Sequence, residues 1–317
     1  MTRAVVFAYH NVGVRCLKVL LAHRIDVPLV VTHDDDPGET IWFGSVARTA
    51  ADYCIPAIMP ANPNAAGVIA HVAAARPDFI FSFYYRMMLA PALLVLAPRG
   101  ALNMHGSLLP RYRGRAPVNW AILRGETETG ATLHYMTDKP DTGDIVAQTA
   151  VPILPDDAAG EVFDKVTVAA ELTLHRVLPA LIDGTAPRTR QDLARGSYFG
   201  GRKPDDGVID WSQSAATIHN LVRAVAPPYP GARTRIHGHR ARLLRTRVLD
   251  ASPPDAAAPR FDVADGRIIV RCGGGGTLQV LELEIDGAIV GPLAFAPWRA
   301  AHAAAVPGRI GAPDQDH

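Results

Sequence analysis

Gly100-Ala101-Leu102-Asn103-Met104-His105-Gly106-Ser107-Leu108-Leu109-Pro110 is the stretch from which the rest of the chain can be read. Gly100 to Asn103 reads as the end of a buried strand, and Gly106, Ser107 and Pro110 break it. In an extended chain, residues two apart share a face, so Asn103 and His105 project together while Met104 packs behind them. Both polar side chains then look into an open site at a strand end, where open α/β sheets hold their ligands. A second strand-like run, Ala131 to Met136, leads through the turn Thr137-Asp138-Lys139-Pro140 to Asp141. Imidazole, carboxylate and amide together form a general acid/base set with an oxyanion donor.

Outward from this stretch, short apolar runs alternate with helix-like segments. Ala4 to Ala8 is a continuous apolar strand, Tyr9 to Gly13 reads as a loop, and Arg15 to Ala22 as a helix. A single glycine in that loop rules out both the dinucleotide fingerprint and a phosphate-cradling P-loop. Val27 to Thr32 is a strand, and Ser45 is placed to cap a helix running to Tyr53. Ala57 to Met59, the Ala-rich helix Ala65 to Ala75 and the strand Phe79 to Phe83 follow, then helices at Pro117 to Arg124 and Ala159 to Ile182 around a strand at Ile145 to Val151. This alternation predicts an α/β, Rossmann-like, mostly parallel sheet covered on both faces over residues 1–190. The acidic cluster Asp34 to Glu39 reads as a solvated loop, with a metal site as the competing reading.

Asp183 to Val208, rich in Gly, Pro, Arg and Asp, reads as a linker. Residues 205–300 then change character. A helix at Ala215 to Ala224 precedes alternating segments up to Val248, at Arg260 to Val270 and at Thr277 to Ile285, with a turn at Gly273 to Gly276. These predict a smaller β-barrel domain of OB-like type. Residues 301–317 have little to bury and are expected to be a disordered tail.

A length of 317 residues with 48% hydrophobic and 20% charged residues accommodates one large and one smaller domain. The formal net charge of +1 gives no global case for nucleic acid or a membrane surface. Cys16, Cys54 and Cys272 are scattered without metal spacing, which fits core thiols in a reducing cytoplasm. No leader or membrane-spanning run is legible, since His, Arg or Pro interrupts each apolar stretch. Ser107 is not in a G-x-S-x-G elbow, and His237-x-His239 has no third metal ligand at useful spacing.

The order Asn103-x-His105-x-Ser107-Leu108-Leu109-Pro110, then Tyr112-Arg113-Gly114-Arg115-Ala116-Pro117, then Asp141-Thr142-Gly143-Asp144 resembles the signature of the formyltransferase family. That family moves a formyl group from 10-formyltetrahydrofolate to an amine. The resemblance implies Asn103, His105 and Asp141 as the catalytic residues, 10-formyltetrahydrofolate as formyl donor, and no metal. It implies folate contacts at Met87, Met88 and Leu89, at Arg115, and at Thr137, Asp138, Lys139, Pro140 and Asp141.

Within the family, the chain looks most like the branch that formylates nucleotide-linked amino sugars. The likeness continues through Phe7 to His10, Gly44 to Arg48, Phe81 to Arg86, Gly125 to Gly130 and Arg202 to Asp206, and fades beyond Ala251. It implies a UDP-linked amino sugar as partner, with formylation of the 4-amino group of UDP-4-amino-4-deoxy-L-arabinose in the cytoplasm. Lipid A modification and polymyxin resistance would follow. Tyr84, Arg86, Arg111 and Arg113 are the candidate sugar contacts, no nucleic acid or membrane insertion is expected, and a homo-oligomer is compatible with the sequence. A relative in this branch continues into an NAD-dependent decarboxylase, a step expected here of a separate protein. The alternatives are methionyl-tRNA formylation, for which the six Arg and two His of Arg233 to Arg247 offer a phosphate-facing surface, and a non-catalytic folate- or RNA-binding module.

Overall fold

A computed structural model describes residues 1–36, 38, 40–255 and 259–302. The chain divides into two compact units. The first comprises residues 1–117, 128–152 and 163–200; the second comprises residues 118–127, 153–162 and the chain from Gly201 onward. Residues 118–127 and 153–162, which the sequence reading numbers with the first domain, thus group with the second unit.

Strands β1 (Arg3–Ala8), β2 (Asp26–Val31), β3 (Ala57–Ile58), β4 (Phe79–Phe83) and β5 (Gly100–His105) pair in parallel in the first unit. A two-residue strand, β6 (Arg113–Gly114), lies apart from this sheet. Strands β7 (Glu128–Tyr135) and β8 (Ile145–Pro152) complete it in the order β3-β2-β1-β4-β5-β7-β8. Strand β7 runs antiparallel to both its neighbours. Phe79, Ile80, Phe81, Ser82 and Phe83 are all buried, as a central strand covered on both faces requires.

Helices α1 (His10–Ala22), α2 (Val46–Asp52), α3 (Ala66–Ala75), α4 (Pro91–Leu94), α5 (Pro117–Leu123) and α6 (Ala159–Asp183) alternate with these strands. Ser45 caps α2 as its sequence position predicts, its hydroxyl accepting from the Arg48 N–H at 3.2 Å.

Four expectations need correction. Tyr9 to Gly13 is not a loop: only Tyr9 lies outside α1, which starts at His10. Gly13 marks close packing there, since a Cβ would lie 2.9 Å from Val46 Cγ2 and 3.1 Å from Ala8 Cβ. Asp183 to Val208 is not a free linker. Thr189 and Ile145 exchange backbone hydrogen bonds at 2.8 Å, and β9 (Tyr198–Phe199) pairs in parallel with β6. Gly and Pro there shape turns that return the chain to the first unit. Cys54 is exposed, whereas Cys16 and Cys272 are buried as expected. Finally, Ala300 to His302 are helical; residues 303–317, the rest of the expected tail, lie outside the described residues, as do Pro37 and Glu39 of the acidic cluster.

In the second unit, α7 (Ala215–Val225) precedes β10 (Ala232–Ile236), β11 (His239–Asp250), β12 (Arg260–Ala264), β13 (Arg267–Arg271), β14 (Thr277–Ile285), β15 (Ala288–Ile289) and α8 (Pro292–His302). The strands form an antiparallel sheet in the order β10-β11-β14-β13-β12, with β15 added to β14. Its core gathers Trp211, Ile218, Val222, Leu243, Phe261, Val270, Leu278 and Phe295. Three of the six arginines in the basic run on β10 and β11 are paired with acids: Arg233 with Asp205, Arg242 with Glu284 and Arg247 with Asp156.

Candidate active site

Asn103 and His105 stand on the same face of β5, as the two-residue period requires. Across the sheet, Asn103 pairs in register with His134 and His105 with Thr132, so β7 adds a second imidazole to that face. His105 is the last residue of β5, so Asn103 and His105 stand at the C-terminal end of that strand, and β7 widens the site sideways over the sheet face. That widening follows from the antiparallel direction of β7. Its loop leaves beside the start of β5, where the Met136 N–H donates to the Ala101 carbonyl at 2.8 Å. It then carries Asp141 back over the face at a left-handed φ of 55°.

The Asp141 carboxylate is the hub. One oxygen, Oδ1, lies 3.6 Å from His105 Nδ1, 3.5 Å from His134 Nε2 and 3.4 Å from the donating Asn103 Nδ2. The other, Oδ2, accepts the Gly114 N–H at 2.8 Å. Burial pulls the carboxyl pKa up, but the charge of His105, the hydrogen bond and charge of His134 and the Gly114 N–H together hold it well below the usual range. His105 Nε2 is 2.8 Å from the Tyr112 carbonyl, which can only accept, so the proton of the neutral ring sits on Nε2 and Nδ1 faces Asp141. By the same argument His134 donates from Nδ1 to the Tyr135 carbonyl at 2.9 Å; its Nε2, 3.2 Å from Asn103 Nδ2, accepts from that amide when the ring is neutral and donates to Asp141 when it is protonated. The contacts of the Asn103 amide are long in either case.

A depressed folded pKa makes stability depend on pH in a fixed sense. The contribution of ionised Asp141 is fully present above its unfolded pKa, about 3.9, and is lost as pH falls through the lower folded value. The Asp141→Asn protein should melt below wild type at neutral pH, with the gap narrowing under about pH 4. A gap that widens on acidification in thermal melts would refute this ordering.

Around the hub, sequence reasoning missed three supports. Gln191 Nε2 donates to the carbonyls of Asp141 at 3.0 Å and Gly143 at 2.6 Å, yet it sits in the stretch read as a linker. Gln148 Nε2 donates to the Leu109 carbonyl and to Thr132 Oγ1, both at 2.9 Å. His134 could have been found by asking which residue of the second run faces Asn103; neither glutamine carries any local signal.

Gly143 is equally constrained: a Cβ would lie 1.9 Å from the Tyr135 carbonyl oxygen, a backbone atom that cannot swing away. Gly143→Ala must therefore displace the loop that carries Asp141. A misplacement near 1 Å costs about 10²-fold in rate, and we expect a loss of that order in kcat/KM with unchanged circular dichroism. Wild-type kinetics would show that the loop is not positioned in this way.

The remaining expected contacts fall into three groups. Met87 and Met88 are exposed, at 40% and 54%, so neither is core filler, whereas Leu89 is buried beside Leu93 and Ala101. Asn64 fixes this segment, its amide donating to the Met88 carbonyl at 2.9 Å and accepting from the Ala90 N–H at 2.7 Å. Thr137, Asp138 and Lys139 are exposed and line a cavity of about 970 Å³ together with Met136, Tyr135 and Arg188. Asn103, His105 and Asp141 do not line it, nor do Met87, Met88, Leu89, Arg115 and Pro140.

The third group surrounds the strand ends. Tyr84 packs its hydroxyl where a Cβ of Gly106 would be, and the Arg86 guanidinium covers the Tyr9 ring at 4.7 Å. Arg115 reaches the Arg86 carbonyl at 3.5 Å, joining this segment to the loop bearing Arg111 and Arg113. Among the described residues, no group of three or more His, Cys, Asp or Glu is placed to hold a metal ion, and no helix is long and apolar enough to cross a membrane.

Residues 22–178 match the family described as formyl transferase, and residues 202–298 match formyl transferase, C-terminal domain. Among solved structures, the N-formyltransferase from Helicobacter canadensis, in complex with folinic acid and dTDP-3-aminofucose, superposes with a TM-score of 0.70 at 20% identity, over 88% of this chain and 99% of that one. WlaRD, a sugar 3N-formyl transferase in the presence of dTDP and 5-N-formyl-THF, gives 0.68 at 19% identity, over 88% and 97%. HypX from Aquifex aeolicus in complex with tetrahydrofolic acid gives 0.61 at 16% identity, over 96% of this chain and 48% of that one.

Proposed function

The chain belongs to the formyltransferase family and is a formyl-transferring enzyme, and from that premise we propose that it moves the formyl group of 10-formyltetrahydrofolate to the 4-amino group of a UDP-linked amino sugar, UDP-4-amino-4-deoxy-L-arabinose. The observation that carries the reading is the Asp141 hub, with Asn103 Nδ2 and His105 Nδ1 both within 3.6 Å of one carboxylate oxygen. On the resemblance carried by the sequence motifs, we assign the product to lipid A modification and polymyxin resistance and the reaction to the cytoplasm.

The folate supplies an activated formyl group. The exposed 87–88 segment, held by Asn64, and the 137–139 wall of the cavity offer backbone groups and apolar surface suited to a flat ring. The chain's own residues then meet three needs. His105 takes a proton from the attacking ammonium at Nδ1, and Asp141, kept ionised, stabilises the resulting imidazolium. Asn103 Nδ2 exchanges one of its long bonds for a shorter one to the formyl oxygen as negative charge grows there. His105 returns the proton to the departing folate nitrogen as its bond to the formyl carbon breaks. The amine's second proton goes to solvent, so the products are the formamide, tetrahydrofolate and one released proton.

Ion pairs occupy three of the six arginines of the basic run on β10 and β11, Arg233, Arg242 and Arg247, and the formal net charge is only +1. Together these support a sugar acceptor over tRNA, whose many phosphates call for an extended array of free cations. In a competition with 10-formyltetrahydrofolate, UDP-4-amino-4-deoxy-L-arabinose and methionyl-tRNA, label should enter the sugar. Preferential labelling of tRNA, falling steeply as salt rises, would overturn the reading.

A further inference from the structure

The two-stranded ribbon of β6 and β9 borders the hub, but no part of the proposed chemistry uses its side chains. It is held firmly. The Arg113 N–H donates to the Ser197 carbonyl at 3.0 Å, the Arg115 N–H to the Phe199 carbonyl at 2.9 Å and the Tyr112 N–H to Ser197 Oγ at 2.8 Å. The Tyr112 and Phe199 rings stack with centroids 5.2 Å apart and planes at 12°. Gly114, the last residue of β6, gives its N–H to Asp141, so the ribbon ends at the reactive carboxylate.

Arg113 and Tyr198 are register partners in this parallel pair, so their side chains leave from the same face. Tyr198 is 58% exposed, and its ring edge passes 3.1 Å from where a Gly114 Cβ would be. A Cβ at Gly114 would also lie 2.1 Å from the Phe199 carbonyl oxygen, so only glycine lets the two strands come this close. Arg113 is half-buried, its Nε is sealed from solvent, and no acceptor among the described residues bonds it. A sealed guanidinium donor without an acceptor is costly, and the acceptors that suit a guanidinium fork are carboxylate and phosphate oxygens.

We infer that the β6–β9 ribbon is the nucleoside diphosphate subsite: Arg113 takes a phosphate oxygen and the open face of Tyr198 stacks on the base. This rests on the nucleotide-sugar reading above and assigns its binding energy to two residues. A diphosphate held at Arg113 leaves the sugar to extend past Gly114 toward Asp141, which puts an amine on the sugar ring near the hub. Stacking contributes through the ring face and is insensitive to salt, whereas the guanidinium–phosphate contact is screened.

The test titrates UDP alone into the full chain by calorimetry at about 0.05 M and 0.5 M salt, where screening lengths differ severalfold. Arg113→Gln should weaken UDP binding roughly 10- to 100-fold at low salt, the range of a hydrogen bond to a charged group, and less at high salt. Tyr198→Ala should weaken it about tenfold at both, with Tyr198→Phe close to wild type. Titration of 5-formyltetrahydrofolate checks the folate site and should give wild-type affinity in all three variants. In turnover, KM for the nucleotide sugar should rise while kcat is largely kept.

Unchanged UDP affinity in both Arg113→Gln and Tyr198→Ala overturns the subsite. So does a parallel loss of folate binding, which would make the ribbon a scaffold only. If the wild-type chain binds no UDP while still transferring formyl groups to another acceptor, the nucleotide-sugar reading falls, and this assignment with it.

Discussion

Replacing His105 by Ala should lower kcat by roughly 10²–10⁴-fold under saturating donor and acceptor, the span of general acid/base help from one side chain. The ring is buried on the β5 face, with Nε2 committed to the Tyr112 carbonyl and Nδ1 turned to Asp141. It is therefore oriented by contacts on both sides and has one nitrogen facing the hub. Its loss leaves Asp141 ionised with one imidazole fewer beside it, so the proton given up by the ammonium has no holder. Binding of the folate donor should change little, because the segments proposed to hold it lie elsewhere. Added imidazole should restore part of the rate if the missing function is proton transfer, and none if the ring serves only as packing. Near-native turnover in His105→Ala would remove His105 from the chemistry.

Asn103→Ala is expected to cost about 10²–10³-fold in kcat, the loss seen when one oxyanion donor is removed. Asn103 Nδ2 lies 3.2 Å from His134 Nε2 and 3.4 Å from Asp141 Oδ1, at and beyond the long end of the ordinary range. Long bonds are easily exchanged, and a developing oxyanion is the stronger acceptor. The loss should therefore fall on kcat and kcat/KM alike rather than on KM, since the bond forms only as charge develops. Asn103→Asp gives an independent check: it sets a second carboxylate beside Asp141 and should be at least as damaging as Ala. A KM effect with kcat preserved would move Asn103 from chemistry to ground-state binding.

Much of this arrangement was legible in the residues because it follows local rules. The two-residue period put Asn103 and His105 on one face, and continuous apolar runs marked the parallel strands. What was not legible depends on chain direction and return. Nothing local to Ala131–Met136 says that β7 runs antiparallel to β5, yet that reversal widens the site from the end of β5 across the sheet face and brings in His134. Gly13 was read as a loop signal because its proximity to Val46, more than thirty residues away, leaves no trace in its own surroundings. Gln191 was lost inside a turn-rich stretch for the same reason. Glycine and proline mark where a chain bends, not whether the bend returns to a site.

That return also sets a timetable for the nascent chain. Tyr112 is fixed by Ser197, a residue 85 positions later, and the Asp141 turn by Gln191, 50 positions later. At a synthesis rate of about 5–20 residues per second, the arginine-bearing loop leaves the ribosome roughly 4–17 s before its clamp exists. During that interval the sheet strands already present can pair, but Arg113 has no strand beside it and the Asp141 turn lacks its amide tether. A chain released early, just after α6, would thus carry Asn103, His105 and Asp141 without the means to hold them in register.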